Sequence, residues 1–221
     1  MSTIFVQYVS DYTCPYCYAE RVALLQAAKD FDVDIQWLPY EYTPLSKPQV
    51  DAYHDPVRKA KYRKTLAPLC KKLNLEMKLP PKVIPRPYTN LAMQAHYLAD
   101  LHEKGEEFSD RVLTAYYVEE KDIGKIDVLV AIAEDVGLDG AEFSQALNDG
   151  TYAKALERIE QYVQDTIQPK NIPTLLIGDT IRLDGGLHTV EQLRQFLSQA
   201  QETQESITIS GVGCSESGCG L

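Results

Sequence analysis

"DYTCPYCYAE", residues 11–20, sets Cys14 and Cys17 three positions apart, between an apolar run and an amphipathic one. The run before it, TIFVQYVS (3–10), is β-branched and aromatic, the composition of a buried strand. The run after Pro15, YCYAERVALLQAAKD, is rich in Ala, Leu, Gln and Glu, and Val22, Leu25 and Ala28 recur at helical spacing. VDIQWLPYEY (33–42) then alternates Val33, Ile35 and Trp37 with Asp34 and Gln36, which predicts a second strand. The chain thus opens strand–helix–strand, a unit expected to cross over right-handed and leave its strands parallel.

Two prolines in TPLSKPQ end that unit, and from about 55 to 168 the pattern is helical. DPVRKAKYRKTLAPLCKKLNL predicts a basic amphipathic helix interrupted or kinked near Pro68. LPPKVIPRPY (79–88) is a connector with no helical option, because proline bars it repeatedly. Leu91, Ala95 and Leu98, then Phe108, Val112 and Tyr116, mark the inner faces of two further helices. Gly137-Leu138-Asp139-Gly140 splits the next segment in two, and YAKALERIEQYVQDTIQ closes the block.

Strand character returns at NIPTLLIGDTIRLDGG (171–186), where Gly178-Asp179 predicts a tight hairpin. Thr189-Val190-Glu191-Gln192 reads as a capping box opening a helix through about 200. The polar, glycine-rich remainder is expected to be a flexible tail. Neither strand-bearing half could bury a sheet alone. The expected architecture is therefore an α/β domain, 1–54 and 169–200, into which a helical domain, 55–168, is inserted, with a tail at 201–221.

A chain of 221 residues with 44% hydrophobic and 24% charged residues can bury a real core. Its net charge of −10 argues against binding nucleic acid or an anionic membrane surface. No run is long enough to span a bilayer, and Met1-Ser2-Thr3 leads into Ile4-Phe5-Val6 without a basic n-region. These features point to the cytoplasm, where structural disulfides are rare. Monomer and homodimer are both compatible with the sequence.

Zinc is a poor account of Cys14 and Cys17, since His54, His96, His102 and His188 are scattered singly. Redox chemistry is a better one. With Pro15 at the first helical turn, Cys14 is expected over the helix N-terminus. Free N–H groups and the macrodipole there favour a thiolate, the form that attacks disulfides. Cys17, one turn on, is expected to be more buried and placed to resolve a mixed disulfide. Tyr16 between them brings no positive charge, so a moderate oxidant is expected. No metal or bound cofactor is called for, because the working group is the pair itself.

CPYC after the first strand and NIPTLLIG before the hairpin resemble the thioredoxin superfamily. In that superfamily a cis proline lies beside the active sulfur. The resemblance puts Pro173 in that role and Ile172 before it, where a substrate peptide can pair as an added strand. SDYTCPYCYAE, IQWLPYEYTP, YTNLAMQAHYLA, AYYVEEKDIGKIDVLVAIAEDVGLD and IPTLLIG together resemble the FrnE branch of the DsbA family, over residues 4 to 200. That resemblance implies a thioredoxin fold with an inserted helical domain. It also implies a cytoplasmic disulfide oxidoreductase, with isomerase and chaperone-like activity as extensions. Expected partners are thiol- or disulfide-containing proteins and unfolded chains, with glutathione as a co-substrate.

One position departs from the superfamily. A buried acid often stands six residues before the first cysteine, and here that residue is Tyr8. Tyr8, Asp11 or water must then handle the proton of Cys17. Some FrnE-like proteins also carry a C-x4-C pair near the C-terminus, which makes Cys214 and Cys219 an auxiliary redox pair, exchanging with Cys14 and Cys17.

Other residues weigh less. Cys70, beside Leu66, Leu69 and Leu73, reads as an inert core thiol. His96 reads either as a satisfied core histidine or as facing the cleft, His188 as a loop residue and Trp37 as core. Two competing functions remain. One is a kappa-type glutathione transferase or chromene-carboxylate isomerase, enzymes that use serine where Cys14 stands. The other is a holdase or scaffold in which the cysteines are incidental.

Overall fold

A computed structural model describes residues 3–211, with side chains described through Glu205. Strand β1 (Ile4–Ser10) lies at the centre of a four-stranded sheet in the order β2-β1-β3-β4 among the described residues. Helix α1 (Pro15–Ala28) connects it to β2 (Val33–Pro39), which pairs parallel to it from Ile4↔Val33 to Ser10↔Pro39. Strand β3 (Thr174–Ile177) runs antiparallel to β1, with Tyr8 opposite Leu175. Strand β4 (Ile181–Asp184) returns from it through a turn at Gly178, whose φ of 56° glycine adopts without strain. The parallel unit and the hairpin stand as the sequence predicts.

Between β2 and β3 run α2 (Pro56–Leu73), α3 (Asn90–Leu101), α4 (Gly105–Tyr117), α5 (Ile126–Asp135), α6 (Gly140–Asp149) and α7 (Ala153–Tyr162). A π-helical turn, Val163–Ile167, extends α7. These helices do not form one body. Phe108, Val112, Leu129, Ile132 and Phe143 of α4–α6 share a core with Ala92, Met93 and Leu98 of α3. Helix α2 instead sends Tyr62, Leu66, Leu69 and Cys70 into the core beneath the sheet, with Leu24 of α1. The π-turn residues Val163 and Ile167 pack on Val9 and Leu38.

Alternation along β1 sets this arrangement. Ile4, Val6 and Tyr8 point to the face covered by α1 and by Leu193 and Leu197 of α8 (Val190–Gly211). Each such buried aliphatic side chain contributes about 1.5–3 kcal/mol before entropy is counted. Thr189 caps α8 as expected: Gln192 N donates to Thr189 Oγ1 at 3.2 Å, and Thr189 N donates to Gln192 Oε1 at 2.9 Å.

Three expectations need correction. Helix α8 continues to Gly211 rather than stopping near 200, because neither proline nor glycine intervenes before that residue. Helix α2 is not interrupted at Pro68 and runs through it as one element, although the ring removes one backbone donor; Leu66, Leu69 and Cys70 are buried on either side of it. The buried residues of α1 are Pro15, Cys17, Ala19, Glu20, Arg21, Ala23, Leu24 and Ala27, and Val22, Leu25 and Ala28 only flank them. A glutamate on an amphipathic helix reads as solvent-facing, so Glu20 concealed that face.

Candidate active site

Cys14 is the N-cap of α1, extended at φ −88° and ψ 107°, with Pro15 next in the first turn. Its carbonyl accepts from Tyr18 N at 3.2 Å, and its own N–H donates to Asp11 O at 3.1 Å. No side-chain hydrogen bond caps the helix, so the first-turn N–H groups are left free beside this residue. Cys14 is partly exposed, and Cys17 is 3% exposed. Burial pushes the Cys17 thiol well above its ordinary range, and the neighbouring Cys14 sulfur adds to the shift.

The polar groups behind the pair are already committed. Tyr8 donates its hydroxyl to the Cys17 carbonyl at 2.5 Å, and burial raises its pKa well above the phenol range. The Asp11 carboxylate is saturated by Thr13 N (2.6 Å), Thr13 Oγ1 (2.7 Å), Tyr42 N (2.7 Å) and Thr89 Oγ1 (3.1 Å). It ties the loop after β1 to the segment after β2 and to the N-cap of α3. A cavity of about 10 Å³ lies against Cys17, lined by Ser10, Tyr12, Arg21 and Ser109 among others. From it, Tyr12 OH reaches His96 Nδ1 at 2.6 Å, and His96 Nε2 lies 3.2 Å from the exposed Asp100 carboxylate. His96 is buried and does not line the cleft at Cys14.

On the outer side, a cleft of about 400 Å³ opens at Cys14 and is floored by Tyr16, Tyr62 and Ile172. The Ile172–Pro173 peptide is cis, and Ile172 lines the cleft with Cys14. The Tyr16 hydroxyl lies 3.0 Å from Thr65 Oγ1, and its ring meets Tyr62 edge-on at 5.9 Å. Arg58, Lys61, Arg86 and Lys170 also line the cleft, against Asp55 alone among acids. The fold thus brings Cys14, Pro15, Tyr16 and Ile172 to one cavity, with Pro173 next in the chain and Cys17 beneath. Cys214 and Cys219 lie outside the described residues.

Sequence reasoning missed two groups. Glu20, fully buried one turn past Cys17, accepts from His188 N at 3.0 Å, and its other oxygen lies 2.6 Å from His188 Nδ1. Arg86, 5% exposed, sits in the proline-punctuated connector, where a charged residue reads as solvated. Their partners are distant in sequence, so no local signal marks them. Among the described residues, no group of His, Cys, Asp and Glu is arranged to hold a metal.

A cysteine capping the helix after the first strand, with a buried partner one turn on and a cis proline following the residue opposite, defines a redox-type thioredoxin fold. Residues 5–198 match the DSBA-like thioredoxin domain, and the chain belongs to that family of thiol–disulfide oxidoreductases. The uncharacterized Bacillus subtilis (strain 168) protein YwbO is 36% identical over 179 residues, 81% of this chain and 89% of that one. The Streptomyces coelicolor protein described as a probable DsbA oxidoreductase superposes with a TM-score of 0.72 at 20% identity, covering 90% of each chain. Cytosolic disulfide reductase DsbM from Pseudomonas aeruginosa, solved with GSH, superposes with a TM-score of 0.63 at 18% identity, covering 92% of this chain and 98% of that one.

Proposed function

We propose that this protein exchanges disulfides through Cys14 and Cys17, with Cys14 as the attacking sulfur. The observation that carries the reading is the asymmetry of the pair: Cys14 opens onto the cleft and Cys17 is sealed beneath it. Cys14 attacks a disulfide RSSR, forming Cys14–S–S–R and releasing one RSH. Cys17 then attacks Cys14, closing the internal disulfide and releasing the second RSH. Run in reverse, the same two steps insert a disulfide into a dithiol. The direction follows the redox potential, where about 30 mV shifts the balance by about 1.4 kcal/mol.

Cys17 must lose a proton before it attacks. Tyr8 is spent on the Cys17 carbonyl and Asp11 on its four donors, so neither is free to take it. The cavity against Cys17 is at the lower size limit for one water and is lined by polar groups. A water there would hand the proton to Tyr12, then to His96 and the exposed Asp100. This is the water route that the Tyr8 position left open.

The reading extends to the FrnE-like branch, to a cytoplasmic location like that of DsbM, and to isomerase and chaperone-like activity. Its substrates are proteins with exposed thiols or disulfides, and glutathione. Val57 and Tyr42 support binding of unfolded chains, since both line the cleft yet are 77% and 53% exposed. The test is insulin reduction with glutathione as reductant. Cys14→Ala is expected to abolish turnover, and Cys17→Ala to accumulate mixed disulfides. Full turnover by Cys14→Ala would remove the assignment.

A further inference from the structure

Arg86 is a buried cation without a counter-ion. It is 5% exposed, yet no Asp or Glu among the described residues forms an ion pair with it. Its Nη2 donates to Thr43 Oγ1, its guanidinium lies 5.1 Å from the centroid of the Tyr42 ring, and its buried Nε has no acceptor. The backbone around it is fixed, with Arg86 N donating to Val50 O at 2.9 Å and Gln49 Nε2 donating to Arg86 O at 2.9 Å.

Guanidinium stays charged at any pH a protein survives, so burial without an anion is costly unless something supplies one. Arg86 lines the same cleft as Cys14, and so do Arg58, Lys61 and Lys170. Elsewhere the charge balance is opposite, for the chain carries 32 acidic against 22 basic residues. A cationic cleft on an acidic protein selects for negative charge at the one place where the reactive sulfur opens.

We infer that Arg86 is the carboxylate anchor for a low-molecular-weight thiol or disulfide that exchanges with Cys14. The geometry suits a carboxylate, because a guanidinium presents its donors as a planar fork, Arg86 lines the cleft, and Thr43 Oγ1 is the one hydrogen-bond acceptor its side chain meets among the described residues. Lys61 and Lys170 would meet a second carboxylate on the same molecule. This rests on the disulfide-exchange reading above and adds the residue that selects its small co-substrate by charge. The reaction balances as before: the reduced pair plus one disulfide gives the oxidised pair plus two thiols.

The test is single-turnover oxidation of the reduced full-length protein by three disulfides: glutathione disulfide (anionic), 2-hydroxyethyl disulfide (neutral) and cystamine (cationic). On the unaltered protein the expected order of apparent affinity is anionic, then neutral, then cationic. Arg86→Met is expected to weaken saturation by glutathione disulfide about ten- to a hundredfold. Its loss with 2-hydroxyethyl disulfide, which has no carboxylate, should be at least about fivefold smaller than its loss with glutathione disulfide. Arg86→Lys keeps the charge without the fork and is expected to fall between.

Calorimetric binding of S-methylglutathione, which cannot exchange, should show the same loss and decides the matter separately from redox turnover. The inference fails if the three disulfides saturate alike on the unaltered protein. It fails equally if Arg86→Met slows the neutral and anionic reagents together, or if S-methylglutathione binds it undiminished. Were none of the disulfides to oxidise the pair while S-methylglutathione still bound through Arg86, the exchange reading would fall and the anion site would stand.

Discussion

Replacing Glu20 by glutamine isolates the buried pair that joins the active-site helix to the loop before α8. In the native protein the fully buried carboxylate receives both His188 N and His188 Nδ1, at 3.0 and 2.6 Å. The hydrogen bond that His188 donates to Glu20 raises the His188 pKa from 6.5, against a partial opposing effect of burial. A histidine whose folded pKa is raised stabilises fully below its unfolded value, near 6.5. That stabilisation is lost as pH rises through the higher folded value.

Breaking a buried ion pair from one side typically costs about 3–5 kcal/mol. Glutamine keeps the volume and one acceptor, so about 3 kcal/mol is expected at pH 5.5, where His188 is charged. At pH 9 the neutral imidazole can accept from the glutamine amide at Nδ1 while His188 N still donates to its oxygen. The cost should therefore shrink to about 1 kcal/mol. Urea denaturation at pH 5.5, 7 and 9 measures this, and thermal melts should show a drop of about 6–12 °C at the acid end. A cost that is flat with pH, or larger at pH 9, would refute the pairing.

Other outcomes follow from single sites. Glu160 is pushed up to about 7, by burial first and then by Glu41, so its contribution is favourable below about pH 4.5 and is lost as pH rises through 7. Glu160→Gln is accordingly expected to stabilise the protein by about 1–2 kcal/mol at pH 8, after allowing for its partial exposure, and to change little at pH 4. Denaturant midpoints at the two pH values check it. Thr189→Ala removes the capping box of α8 and is expected to cost about 1 kcal/mol without altering disulfide exchange. Iodoacetamide followed by peptide mapping should label Cys14 in the native, reduced protein, and Cys17 and Cys70 only after denaturant is added.

Local sequence determines structure where one residue type has one low-energy solution. Pro15 after a strand, with CxxC around it, fixed where α1 begins and which cysteine caps it. Gly178-Asp179 gave the hairpin, and Thr189 with Gln192 gave the cap. Errors arose where a local rule met a tertiary exception. Pro68 is expected to interrupt or kink its helix; α2 is not interrupted there, since neighbours on both sides are anchored in the core. Glu20 should face water, but His188, 168 positions later, meets it inside.

From sequence alone come the order of elements, the helix-capping position of Cys14 and the deeper burial of Cys17 one turn on. Backbone propensity, capping and periodicity act over a few residues and need no knowledge of the rest of the chain. Only the tertiary structure decides that α2 packs beneath the sheet while α3–α6 keep a core of their own. It alone gathers Arg58, Lys61, Arg86 and Lys170 around Cys14 and leaves Arg86 without a carboxylate. Charge acts through space rather than along the chain, so the polarity of a cleft can be known only once distant segments have met.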